Sequence, residues 1–339
     1  MRPERAVTLQ DIADRLGVSR STASFAITGR GRVSEDMRRR VHEVADELGY
    51  RPNTVARHLK GSRTGMLALR LPPDSTTMSY YMEATFGIVE EANRAGMTVI
   101  MLPTEQNADR ADQLVADAVI LLDPDLNDPA VHTLLAGRLP VITGEPTPDG
   151  LPEPRAWVTS EHAPAVRELM DHLLERGMRR PAMLFPELRG YWALTVRDAF
   201  VDWCADRGIR PRITELEHPA PPEVIHAAVS QLVAADDEDP VDAIVTVSDG
   251  TVLSVVTSAQ QLGRTVGEDL LVAALVDTEV LSLTRPSITA IDLHPREFGR
   301  RCTLAALDVL DSDGAAEAAP RRDVVPITVH YRDSTRGSA

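Results

Sequence analysis

The stretch Arg20 to Ile27 reads RSTASFAI. At helical spacing it sets Arg20, Ser21, Ser24 and Phe25 on one face, at i, i+1, i+4 and i+5, and Ala23, Ala26 and Ile27 on the other. A guanidinium and two hydroxyls suit the acceptors of base edges and phosphates, whereas a phenyl ring has no donor and matches only apolar edges such as a thymine methyl. Such a stripe on a helix with a small-residue back is chemistry for reading a duplex groove. The plainer alternative for Phe25 is a ring folded back over Val18 or Leu16.

The flanking residues predict the elements that would hold this stripe. Thr8 is placed to N-cap a first helix, with Asp11 three residues on as the acid of a capping box. Ile12, Ala13 and Leu16 form its apolar stripe and Gly17 ends it. Ser19 then caps a second helix over Arg20–Ile27, and two short helices joined by a Gly-containing turn form a helix-turn-helix. Ser34 starts a third helix, where Val41, Val44, Ala45 and Leu48 recur at i, i+3, i+4 and i+7 before Gly49 stops it. Pro52 suits a first helical position and opens a further short helix through Lys60. Helices shorter than ~12–15 residues are marginal alone in water, so this one needs a partner.

The segments LQDIADRLGVS, STAS, RVSEDMRRRV and ELGYRPNTVARHLKGSRTG resemble the lac-repressor (LacI/GalR) family of bacterial transcription regulators. The match runs without a gap from Thr8 through Gly65, and a fainter one continues to Tyr331. The resemblance implies DNA contacts from Thr8, Ser19, Arg20, Ser21, Thr22, Ser24, Phe25, Thr28, Arg32, Val33 and Ser34, and from Asn53, Ala56 and Leu59 in the hinge helix. In the family that helix orders on the operator, and a leucine matching Leu59 wedges into the minor groove and kinks the duplex. Family members usually carry arginine where Phe25 stands. They work as dimers on near-palindromic sites, and tetramers need an extra C-terminal leucine-repeat helix. The tail DSTRGSA is polar and short, so a homodimer is expected.

Composition agrees. The 339 residues, 43% hydrophobic and 26% charged, are ordinary for a globular protein with a large core. Cys204 and Cys302 lie far apart in apparently helical segments, which argues against a disulfide framework and for a reducing cytoplasm. The start, MRPERAVTLQ, has no apolar signal region, and no run approaches the ~18 apolar residues of a membrane span. Net charge is −15 overall, but residues 1–64 hold 13 Lys and Arg against 8 Asp and Glu, net +5, and the remainder is net −20. A basic module on an acidic body suits DNA, because phosphate contacts are local.

From Gly65 onward strands and helices alternate, the pattern of parallel sheets with helices on both faces. The fold class is therefore α/β, with an all-α helix-turn-helix domain (1–50), a hinge helix and linker (51–64), a two-lobed domain (65–332) and a polar tail (333–339). The resemblance implies periplasmic-binding-protein-like lobes crossed three times by the chain. Lobe one covers about 65–160 and 294–320, and lobe two about 161–293 and 321–332. Its last strand is expected as one piece, Val324–Tyr331. Ligand would sit between the lobes at the carboxyl ends of the strands.

Carried over residue by residue, the family's effector site survives in part. Tyr80 and Tyr81 could stack on a sugar ring, and Asp249 stands where the family has an acid at the cleft edge. The usual arginine falls on Val196, with Arg197 next door. A usual acid falls on Val276, with Asp277 next door, and the Asp-Asn pair opening lobe two becomes Ser160 and Glu161. Unless a local shift brings Arg197 and Asp277 into register, the pocket is more apolar than usual, or vestigial.

No GxSxG elbow, P-loop or GxGxxG follows a strand, so no enzyme and no cofactor are expected. His162 and His172 read as solvated, and Asp123-Pro124-Asp125 as a turn. The expected function is a DNA-binding repressor gated by a small molecule, possessing no membrane partner. The alternative is a regulator whose degenerate sensor answers to a non-sugar ligand, a protein partner or nothing. A solute-binding protein or sugar-handling enzyme would share the two-lobed fold, but it would lack the helix-turn-helix and hinge.

Overall fold

The capping box at Thr8 opens α1 (Leu9–Leu16) in the computed structural model. Thr8 N donates to Asp11 Oδ2 at 2.7 Å, and Asp11 N donates to Thr8 Oγ1 at 3.4 Å. Gly17 closes the helix in the left-handed region, φ 66°, where a side chain would be strained. Ser19 Oγ accepts from Thr22 N at 3.0 Å and starts α2 (Arg20–Thr28). Ser34 Oγ accepts from Met37 N and starts α3 (Glu35–Glu47). Ile12, Ala13, Ala23, Ala26, Val41 and Ala45 are buried together, so the three helices share one small core.

The structure describes residues 7–28, 33–48, 50, 63–73, 79–102, 114–187, 190–217, 219–234, 240–247, 249–312 and 320–336. The chain divides into two compact units, 1–64 and 65–339. The hinge segment 51–62, with Asn53, Ala56 and Leu59, lies outside the described residues, as does Arg32.

The second unit alternates as its sequence predicts. Its first half runs β1 (Met66–Arg70), α4 (Ser79–Arg94), β2 (Thr98–Met101), β3 (Ala118–Leu122), α5 (Pro129–Leu135), β4 (Val141–Gly144) and β5 (Ala156–Ser160). Next come α6 (His162–Glu175), β6 (Pro181–Pro186), α7 (Tyr191–Asp206), β7 (Arg212–Leu216), α8 (Pro222–Val233) and β8 (Ala243–Thr246). The chain continues through α9 (Asp249–Gln261), β9 (Leu271–Ala274), α10 (Glu279–Leu283), β10 (Thr289–Asp292), α11 (Pro295–Asp311), β11 (Arg321–Val325) and β12 (Thr328–His330).

These strands form two six-stranded sheets, ordered β11-β5-β4-β3-β1-β2 and β12-β10-β9-β8-β6-β7. All pairings are parallel except β10 with β12. Both faces of β3 are buried, as parallel strands require. Ile120 and Leu122 share a core with Ile88 of α4 and Phe298 of α11, while Val119 and Leu121 pack with Val131 and Leu134 of α5. Helices α4 and α11 meet backbone to backbone. A Cβ on Gly87 would lie 2.0 Å from Arg296 O, and one on Gly299 1.9 Å from Ala84 O. Glycine is required at both places.

Two expectations are corrected here. The stretch Val324–Tyr331 is not one strand: β11 ends at Val325 and β12 starts at Thr328. Pro326 lies between them and has no N–H for a ladder. β11 pairs with β5, Arg321 opposite Ala156 and Val325 opposite Ser160. Residues 321–325 therefore complete the first sheet, and the last crossing falls at 326–327.

The segment from 333 is also more than a polar tail. Asp333–Thr335 form a 3-10 turn with Ser334 and Thr335 buried. Ser334 Oγ donates to Val272 O at 2.6 Å and accepts from Thr289 N at 2.9 Å, and Thr335 Oγ1 lies 2.6 Å from Thr289 Oγ1. The Ser334 hydroxyl satisfies backbone groups of β9 and β10 and the Thr335 hydroxyl pairs with the Thr289 side chain, which is why polar residues are buried here.

Candidate DNA-reading face and inter-lobe cleft

Helix α2 turns its alanines inward and its polar stripe outward. Ala23 and Ala26 are fully buried, whereas Arg20 and Ser21 are exposed and Phe25 is 46% exposed. The ring of Phe25 is therefore not folded into the small core. Thr22 and Ser24 are half-buried on the flank. Ser19 Oγ lies 2.8 Å from both Ser21 Oγ and Thr22 Oγ1, so these hydroxyls are linked at the start of the helix. Of the remaining predicted contacts, Thr8 and Ser34 cap helices, Val33 packs against the core, and the side chain of Thr28 lies outside the described residues.

In the second unit, the carboxyl ends of the strands converge on a small, partly open site. Asp123 follows β3 and Glu145 follows β4, both with positive φ, 45° and 75°. Tyr80 and Tyr81, in the first turn of α4, are buried with their rings edge to face at 5.2 Å. Tyr81 Oη donates to Asp123 Oδ2 at 2.7 Å. Glu145 is 2% exposed; it accepts from Thr159 Oγ1 at 2.6 Å and pairs with His162 Nε2 at 2.8 Å. Trp192 of α7 and Val276 and Leu293, beyond β9 and β10, complete the lining around a cavity of about 20 Å³.

Burial, and then the charge of Glu145, pushes the Asp123 carboxyl up to about 7, against the opposing effects of the Tyr81 hydroxyl and His162. Burial, and then the charge of Asp123, holds the hydroxyls of Tyr80 and Tyr81 well above their usual range. Asp123 Oδ1, Trp192 Nε1, Ser160 Oγ and His162 Nδ1 are buried without a hydrogen-bond partner among the described residues.

The predicted effector residues meet only in part. Tyr80, Tyr81 and Val276 line the cavity. Val196 is buried in the hydrophobic core. Arg197 pairs with Glu215 of β7 at 3.6 Å, both half-exposed on the edge of the sheet, and is not turned to the cavity. Asp277 is held by Arg332 through two bonds of 2.8 and 2.6 Å. No local shift brings Arg197 or Asp277 into the site. Asp249 begins α9, but its side chain lies outside the described residues.

Sequence reasoning missed Asp123, Glu145 and His162. The Asp123 segment is more than a turn, and His162 is buried rather than solvated. His172 is partly shielded as well, stacked on Tyr331 and 2.9 Å from Thr335 Oγ1. The available signal was position: the two acids each follow a buried strand at its carboxyl end.

A helix-turn-helix module joined to a two-lobed α/β body defines a class of ligand-responsive DNA-binding regulators. Residues 8–53 match the model of the bacterial regulatory proteins of the lacI family, and residues 170–335 match that of the periplasmic binding protein-like domain. The catabolite control protein A of Priestia megaterium is 26% identical over 309 residues, covering 84% of this chain and 87% of the relative. That of Staphylococcus xylosus is 24% identical, covering 97% and 99%. Among solved structures, the lac repressor dimer bound to operator and the anti-inducer ONPF aligns with TM-score 0.81 at 21% identity, over 98% of this chain and 99% of that one. A complex of the transcriptional regulator CelR with cellobiose aligns at 0.69 and 24%, over 97% and 99%. The chain combines a lacI-family regulatory region with a periplasmic binding protein-like domain, an arrangement of transcription regulators and not of enzymes. No helix among the described residues is long and apolar enough to cross a membrane.

Proposed function

We propose that this chain is a cytoplasmic transcriptional repressor that binds a near-palindromic operator as a homodimer and is modulated by a small molecule between its lobes. The observation that carries the reading is α2, whose buried alanine back turns Arg20, Ser21 and Phe25 outward. The excess of basic residues in 1–64 supplies the phosphate attraction. Support for a dimer comes from α4, where Met82, Phe86 and Val89 recur at i, i+4 and i+7 as an exposed apolar stripe. The hinge residues Asn53, Ala56 and Leu59 would add minor-groove contacts, Leu59 as the wedge. Binding to a selected operator should fall steeply with salt and disappear on deletion of residues 1–64. A flat dependence, or binding that survives the deletion, would sink the reading.

A second reading concerns the sensor alone. Arg197 and Asp277 are engaged elsewhere, and Val196 is core. A site without these polar groups should grip unmodified hexoses weakly. It answers to a different ligand, a protein partner or no effector.

A further inference from the structure

The carboxylates of the candidate site suit a cation. Among the described residues its wall contains two carboxylates, Asp123 and Glu145, and no arginine or lysine. Glu145 has its own partners in Thr159 and His162, whereas Asp123 has, among the described residues, a side-chain bond only from the Tyr81 hydroxyl, on Oδ2. Asp123 Oδ1 is a buried acceptor with no donor among the described residues, and Trp192 Nε1 is a buried donor with no acceptor among them. Both side chains line the same cavity. Buried polar atoms left in this way cost stability unless a ligand or water completes them. Tyr80, Tyr81 and Trp192 add aromatic wall, and aromatic rings attract cations over their faces.

Resting on the reading of the cleft as the effector site, the geometry points to a ligand carrying a primary ammonium next to a hydroxyl, an amino alcohol, with the ammonium donating to Asp123 and the hydroxyl oxygen accepting from Trp192. Size agrees with this assignment. A cavity of about 20 Å³ takes a group as small as a water or an ammonium. A sugar ring enters it only if the lobes part. The inner end of the ligand is therefore a small cationic head. Binding it holds the Asp123 carboxylate in its ionised form, so a proton is released near neutral pH and affinity rises as pH climbs through about 7.

The experiment uses the full chain and two matched pairs, glucosamine with glucose and ethanolamine with ethane-1,2-diol, in calorimetry at pH 7 in buffers of different ionisation enthalpy. The expected result is that at least one amine binds about tenfold or more tightly than its hydroxyl twin, the factor a charge-assisted hydrogen bond carries, with proton release. Asp123→Asn, which retains an acceptor for Tyr81, should abolish both the preference and the release. Response to glucosamine alone identifies an amino sugar, and response to ethanolamine an open-chain amine. Equal or tighter binding of the neutral twins overturns the ammonium assignment and leaves the cleft as a sensor. Amine binding unchanged in Asp123→Asn overturns the assignment of the site. Silence from all four compounds overturns the amino-alcohol class, and the reading of residues 1–64 still stands or falls on its own operator assay.

Discussion

Helix α2 and the inter-lobe cleft each present hydroxyls, rings and charge, but they gather them in opposite ways. On α2 every candidate group comes from nine consecutive residues and points away from a core of alanines. In the cleft, Tyr81, Asp123, Glu145, Trp192 and Val276 come from five separate segments and point toward each other. A surface made from one helix needs only a cap and a period, so it changes residue by residue without disturbing its neighbours. A convergent site desolvates its groups and couples their charges, so a change at one is felt by the others. Burial first, and then the charge of Glu145, puts Asp123 near 7, while the α2 stripe faces solvent.

The largest test breaks the comparison at its structural base. Ala23→Asp buries a charge with no partner in the small core of α1–α3, a cost of about 3–5 kcal/mol. A module of this size has only ~0.05–0.15 kcal/mol of stability per residue, so it should unfold. Operator binding should vanish while the main thermal transition, that of residues 65–339, stays in place. A parallel collapse of that transition would show that the two units fold as one.

Asp123→Asn sharpens the contrast next. The Asp123 carboxyl rises from 3.8 to about 7 on folding, so the folded state holds a proton that the unfolded state has lost between those values. Stability therefore falls as pH climbs from about 4 to about 7 and is level above. Removing the titration should leave stability at pH 4 unchanged and raise it at pH 8 by about 1–3 kcal/mol, smaller than the full linkage because the site relaxes. Denaturant melts of both proteins at the two pH values measure this, and an equal shift at both would count against a buried, charge-coupled Asp123.

Phe25→Arg tests the open surface. If the exposed ring reads a thymine methyl, arginine should move one symmetric operator position from A·T toward G·C, with ~1–3 kcal/mol of discrimination. Selection from a randomised duplex library would reveal it. An unchanged consensus with intact binding would place residue 25 off the bases.

The smallest effect is expected at Thr8→Ala, which removes one side of the capping box and should cost ~0.5–2 kcal/mol in the DNA-reading unit alone. Amide exchange over residues 9–16 would register it. Protection unchanged from the parent would mean that the cap is idle.

The same contrast explains what the sequence made legible. The capping box at Thr8, the left-handed Gly17 and the buried face of α3 depend on residues three or four apart, and each follows from local chemistry. Strand positions in the second unit were equally plain, since runs such as AVILL at 118–122 read as doubly buried strands. Asp123 and Glu145 were not, because each resembles ordinary loop chemistry until tertiary packing sets it beside Tyr81 or His162. Arg197 and Asp277 misled for the same reason: nearness in sequence to a site position does not decide which side of a sheet a side chain meets. Pro326 did mark the break between β11 and β12, although the flanking β-branched residues read as continuous strand.

That break has a consequence for synthesis. One short segment, residues 321–330, supplies an outer strand to each of the two sheets. A ribosome that has not passed residue 330 has therefore released neither lobe in finished form: β5 and β10 still offer open ladders to any passing strand. A message truncated before the codon for residue 321 would yield two unsealed sheets at once, and such a product should be cleared or aggregate rather than persist as a half-functional regulator.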